Sequence, residues 1–399
     1  MALPSETVIQ ILDSSEFSNR DFRNISLISR VWCWPAQSLL HRRINISLQR
    51  DVQQYIRKFT LFPHLLAAVR SMHIFGATMI SYSEGSLDFE ETVMGDKFED
   101  MSRIVGSSVR NLHLDSFLRW DTEMSRRISS HFCAIQKLEL SHIGLVNAPN
   151  ALSRLFAGME KLESLHFHHT SFGYDDESLC DPPVDIVSSA PGKHLHTLVI
   201  STVQESREVL TFLGTSSTLD LSHVNNLTLS WTYTKREPVP LHFLHDFLRK
   251  VGPQVGDLTI ATPAHNIDDQ TGMDVPFCLG DILSSEALGY FSSMKKLTLC
   301  ACPGGAYDYF SCLYHREKVA LCHAVALLQS LDGYSSLEEI RIKLIAEGRI
   351  RQPVQLPLWF RLRDVLHSDN FSKLKKSHVR IQEDDDHAGR PMFPDLEPA

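Results

Sequence analysis

A six-residue phrase, apolar-x-x-apolar-x-apolar, recurs along most of this chain and constrains its fold more than any other feature. It reads VRSMHI from Val69, VRNLHL from Val109, IQKLEL from Ile135, LESLHF from Leu162 and LHTLVI from Leu195. It continues as VNNLTL from Val224, VGDLTI from Val255, MKKLTL from Met294 and LEEIRI from Leu337, with a degenerate LKKSHV at Leu374. The spacing runs from 26 to 43 residues, the signature of an internal repeat. Each phrase closes on a period-2 alternation, which predicts a short strand with one face buried.

Helix-like stretches separate the phrases. Leu241 to Val251 places Leu241, Leu244, Phe247, Leu248 and Val251 on one face before Gly252-Pro253. Val319 to Leu331 has the same character, as does Leu358 to Leu366 after Pro357. A strand and helix too small to bury their own faces must share a core with the next copy. The expected architecture is therefore an α/β solenoid, with parallel strands on a concave side and helices outside. A hydrophobic content of 43% leaves ample material for that core.

The first 48 residues follow another pattern and predict three short helices. The first starts at Pro4, whose ring suits a first turn, and carries Val8, Ile9, Ile11 and Leu12. The second begins near Asp21 with Ser18 as capping partner and ends at Pro35; the third covers Ala36 to about Arg43. Three helices of this size barely close a core, so part of their apolar surface is expected to serve a partner.

Here Leu3-Pro4-x-Glu6, Ile11-Leu12, Asp21-Phe22, Ile25-Ser26-Leu27-Ile28-Ser29-Arg30-Val31-Trp32 and Leu40-His41-Arg42-Arg43-Ile44 stand in the order and spacing of an F-box. The segment resembles that family, and the repeats resemble the irregular leucine-rich repeats that accompany it in fungal F-box proteins. The resemblance implies the substrate-recognition subunit of an SCF-type cullin-RING ubiquitin ligase, itself without catalytic residues. The F-box would dock on a Skp-type adaptor, and through it on a cullin, while the repeats bind a protein substrate. By correspondence Leu3, Pro4, Ile11, Leu12, Leu27, Ile28, Val31 and Trp32 would carry the adaptor contact. The implied organisation is an F-box over 1–48, a linker helix over 49–64, a repeat domain over 65–381 and an acidic disordered tail over 382–399. Where leucine-rich repeats place Asn or Cys after the strand, this chain has Phe117, Ile143, Thr170, Val203, Thr232 and Pro263, and only Cys302 conforms. Irregular loops are therefore expected.

The middle x of each alternation points away from the core. Stacked strands would align His113, Glu139, His166, Val199, Thr228, Thr259, Thr298 and Arg341 in one column. Asp115, Ser141, His168, Ser201, Ser230, Ala261, Cys300 and Lys343 would form the next. From these, His113, Asp115, Glu139, His166, His168, Thr228, Thr259, Thr298, Arg341 and Lys343 are the candidate substrate-binding residues, a plain solvated sheet face being the alternative for any one of them.

The remaining signals bound the function. A net charge of −9 gives no basic face for nucleic acid. Eight dispersed cysteines and no apolar run of membrane-spanning length predict an intracellular protein, cytoplasmic or nuclear, away from membranes. Cys300-x-Cys302, Cys312-x-x-His315 and Cys322-His323 include no C-x-x-C pair, and His166 and His168 read as strand-face residues with His169 at the strand end; no metal or cofactor is expected. Phosphate-loop, G-x-S-x-G and H-E-x-x-H motifs are absent. Two other readings compete: an interaction scaffold of the same fold outside any ligase, and a hydrolase or metal enzyme built in the long loops.

Overall fold

The computed structural model describes residues 4–13, 17–47, 52–76, 99–117, 120–146, 148–168, 170–173, 195–202, 206–215, 219–233, 241–262, 277–278, 288–301, 325, 327–329, 331, 336–346, 357–368, 371 and 373–383. The chain divides into two units, Met1–Lys193 and His194–Ala399. Leu3, His169, Val203, Pro263, the stretch with Cys302, Cys312, His315 and Cys322, and the acidic tail beyond Glu383 lie outside the described residues, while Gln382 and Glu383, expected in that tail, end the last strand.

The first unit opens with helices α1 (Ser5–Asp13), α2 (Asn19–Ile28) and α3 (Arg30–Leu40). A capping box starts α2: the Ser18 hydroxyl accepts from the Asp21 amide at 3.3 Å, and the Asp21 carboxylate accepts from the Ser18 amide at 2.8 Å. Pro35 does not end this helix, contrary to the sequence expectation. The break falls at Ser29, whose extended backbone (φ −160°, ψ 163°) caps α2 and starts α3, and Pro35 lies inside α3. Val31 and Trp32 therefore belong to α3. The helices close on Val8, Leu12 and Ala36, with Phe22, Ile25, Trp32 and Leu39 packed against them.

Strand β1 (Arg43–Ser47) follows directly, then α4 (Val52–Leu61) and β2 (Ser71–Phe75). Parallel pairs join β1 to β2, β2 to β3 (Asn111–Asp115), β3 to β4 (Lys137–Ser141), and β4 to β6 (Ser164–His168). Helices α5 (Thr122–His131) and α6 (Ala148–Ala157) occupy the connections and pack on each other. A small second sheet joins β5 (Gly144–Val146) to β7 (Ser171–Gly173).

The second unit repeats the scheme. Strands β8 (Thr197–Thr202), β9 (Asn226–Tyr233), β10 (Asp257–Thr262), β12 (Lys296–Ala301), β13 (Glu339–Ala346) and β14 (Lys376–Glu383) pair in parallel and in that order. The short β11 (Phe277–Cys278) runs antiparallel to β9. Helices α7 (Ser206–Thr215), α8 (Leu241–Val251) and α9 (Pro357–Leu366) lie in the connections between its strands, with α7 packed on α8. The class is α/β, with parallel strands laid down in chain order and helices between them.

Every pairing between the phrase strands aligns equal positions of the phrase. Met72, Leu112, Leu138 and Leu165 form one buried row, and Ile74, Leu114, Leu140 and Phe167 the next. Leu198, Leu227, Leu258, Leu297 and Ile340 do the same in the second unit. Each such side chain contributes about 1.5–3 kcal/mol by leaving water. A one-residue slip would turn the whole row outward, so burial sets the register.

A backbone device reinforces it. The carbonyl at the second phrase position accepts two consecutive amides from the next copy: Arg70 from Arg110 and Asn111, Arg110 from Gln136 and Lys137, Gly256 from Lys295 and Lys296. Arg42 accepts from Arg70 and Ser71 in the same way. Residues 41–46 are thus an additional copy of the phrase, HRRINI, with His41 at its first apolar position. Burial, then the charges of Lys58 and Arg23, lower the His41 pKa to about 4 and keep the ring neutral there.

The position after the strand solves its packing without Asn. Phe117, Ile143 and Thr170 are all buried. Phe117 meets Trp120 edge to face, while the Thr170 hydroxyl donates to the Leu140 carbonyl at 3.3 Å. An apolar row with one hydroxyl in it stands where a polar ladder would run.

Candidate functional site

Strand alternation exposes the other face of each sheet, and in the first unit that face gathers the ionisable candidates. Register puts Asn45, His73, His113, Glu139 and His166 in one row and Ser47, Phe75, Asp115, Ser141 and His168 in the next. His113, Asp115, Glu139, His166 and His168 are therefore neighbours, all half-buried. His73 joins them by occupying the same phrase position one strand earlier, a signal present in VRSMHI itself.

The geometry is close. The His73 and His113 rings stack with centroids 3.8 Å apart and 8° between planes. His113 Nε2 stands 3.8 Å from Glu139 Oε1, and His168 Nε2 stands 3.7 Å from the same oxygen. His73 Nε2 lies 3.5 Å from Asp115 Oδ2, buried and without a hydrogen-bond partner. Two residues just past the strands take left-handed backbone, Ser116 (φ 60°) and His142 (φ 51°). That turn lets His142 Nδ1 come within 3.1 Å of Asp115 Oδ1, to which the Ser116 hydroxyl also donates. The other carboxylate is held similarly, with Lys137 Nζ 3.3 Å from Glu139 Oε2.

These environments favour neutral imidazoles and ionised carboxylates. Burial pushes His166 down to about 4 and holds His168 and His113 below the ordinary histidine value, against the opposing charge of Glu139. Burial alone would raise Glu139, but His113, Lys137 and His168 outweigh it and hold it low. For Asp115 burial is likewise outweighed, by the bonds from His142 and Ser116. Two groups of three gather their ligand atoms: His73, His113 and Asp115, and Glu139, His166 and His168, each set within 4.8 Å of one another.

The second unit is different. Its first row reads Val199, Thr228, Thr259, Thr298, Arg341 and His378, and its second Ser201, Ser230, Ala261, Cys300, Lys343 and Arg380. Thr298 is only 5% exposed, so it offers little to a partner. Arg341 pairs with Glu339 on its own strand, and Lys343 is exposed. Burial raises the Cys300 thiol pKa and keeps it protonated.

The N-terminal helices carry the remaining candidates. Leu27 is 84% exposed, Ile28 71%, Val31 42% and Ile11 41%, and Pro4 is exposed. Leu12, 1% exposed, serves the core, and Trp32 packs half-buried against it. Trp34 in α3 and Phe17 are further exposed apolar side chains outside the expected set.

No family profile and no curated protein matches this chain in sequence. Among the described residues, no helix is long and apolar enough to cross a membrane.

Proposed function

We propose that the chain is the substrate receptor of an SCF-type ubiquitin ligase, with α1–α3 as its F-box and the strand–helix repeats as an irregular leucine-rich-repeat array. The supporting observation is the apolar surface on α2 and α3. Leu27, Ile28 and Val31 stand in water above a core already closed by Val8, Leu12 and Ala36. Large apolar side chains gathered this way mark an interaction surface, and a Skp-type adaptor is the partner the F-box pattern implies. The polar sheet faces would then hold the protein substrate through a few anchors among many modest contacts. The role is proximity: the substrate is brought near a ubiquitin-loaded enzyme, which makes the transfer effectively local.

Affinity purification of tagged full-length chain tests this. Adaptor and cullin should copurify with the wild type and be lost with Leu27→Asp/Ile28→Asp. A wild-type chain that brings down neither contradicts the ligase reading and favours a scaffold outside that complex.

A further inference from the structure

The first unit's polar face contains the same three-residue template twice. In each, one residue lies at the middle phrase position of one strand, a second lies at the aligned position of the next strand, and a third lies two residues further along. His73 on β2 faces His113 and Asp115 on β3; Glu139 on β4 faces His166 and His168 on β6. Strand spacing near 4.8 Å and same-face spacing near 6.6 Å bring long side chains at such positions to one point.

We propose that these two triads bind divalent transition-metal ions of the zinc class, one ion in each. Both sets are two imidazoles and one carboxylate, the donor mix of three-ligand zinc and facial-triad sites that keep open positions for water or a further ligand. The ligand atoms of each set lie within 4.8 Å of one another, so modest side-chain rotation closes them on an ion. His73 Nε2 is a second, independent observation: it is buried without a hydrogen bond, and a bound cation would satisfy it.

The carboxylates show the same division of labour. Asp115 gives Oδ1 to His142 and Ser116 and turns Oδ2 toward His73. Glu139 gives Oε2 to Lys137 and turns Oε1 toward His113 and His168. Outer groups that hold one oxygen and aim the other are what supports a ligand set. The Ser141 and Ser164 hydroxyls, 2.9 Å from His113 Nε2 and 3.0 Å from His166 Nε2, rotate about single bonds and can give way to an ion. The site does not depend on the adaptor reading; it gives the face two Lewis-acidic anchors for an oxygen, nitrogen or sulfur donor of a bound partner.

The test uses tag-free full-length chain, stripped with chelator, reloaded with zinc and desalted, with zinc counted by atomic emission. The wild type should retain two zinc ions per chain. His73→Asn/Asp115→Asn and His166→Asn/His168→Asn should each retain one, and the fourfold variant none. His223→Asn, outside both triads, should retain two. If a variant fails to fold by circular dichroism, acylation of histidines in the wild type gives the same answer, because zinc should shield His73, His113, His166 and His168 selectively. Zinc retention by the wild type no greater than by the fourfold variant, or no selective shielding, overturns the proposal.

Discussion

The two units use one strand template on its apolar side and two chemistries on its polar side. Leu138 and Leu258 occupy the same phrase position in the two units and are equally buried. One residue further on, Glu139 sits among histidines while Thr259 sits between Thr228 and Thr298. The alternation that buries one row releases the other from packing, so the released row is free to diverge. Fold is thus written in positions that agree between the units, and chemistry in positions that differ.

The sharpest way to break that comparison is in the apolar rows. Leu138→Ala and Leu258→Ala should each lower stability by about 2–5 kcal/mol in urea titrations, because each leaves a cavity in a closed core. Thr259→Ala, on the polar face, should change it by less than about 0.5 kcal/mol. A core substitution harmless in one unit would show that the two rows are not equivalent.

A smaller effect tests the helical start. Ser18→Ala removes one half of the α2 capping box and should cost about 1 kcal/mol, read by thermal unfolding. Ser26→Ala, whose hydroxyl only returns to the Arg23 carbonyl, should cost less.

The subtlest contrast is in pH. His166 has a folded pKa near 4, below its ordinary 6.5, so the unfolded chain binds the proton more readily between those values. Its contribution is complete above pH 6.5 and is lost as pH falls toward 4. His113 and His168 act in the same sense, and the lowered carboxylates Asp115 and Glu139 add losses at lower pH. Lys137 and His142 also face the cluster. In metal-free buffer, unfolding free energies at pH 7 and pH 5 should differ less for His166→Asn than for the wild type. An unchanged difference would show that His166 is not held neutral by burial.

The same comparison explains what the sequence makes legible. Strands announce themselves because a buried row needs an apolar residue at every second position, and α8 matches its expected Leu241–Val251 because Gly252-Pro253 stops it. That β1 continues the repeat is hidden because His41 stands where other copies carry Val, Leu, Ile or Met. The α2–α3 break is hidden because Ser29 is an ordinary helix-surface residue and Pro35 looks like the stop; only the φ of Ser29 reveals the boundary. The polar columns are readable from phrase position alone. The orientation of the Asp115 carboxylate is not, since it depends on His142 adopting positive φ.

The adaptor surface is the claim on which the functional account turns. Purified chain mixed with a purified Skp-type adaptor and analysed by size-exclusion chromatography with light scattering tests it directly. The account predicts a one-to-one complex for the wild type, lost in Leu27→Asp/Ile28→Asp while thermal unfolding of the variant stays unchanged. Separate elution of wild-type chain and adaptor, or a complex indifferent to those two substitutions, would contradict it.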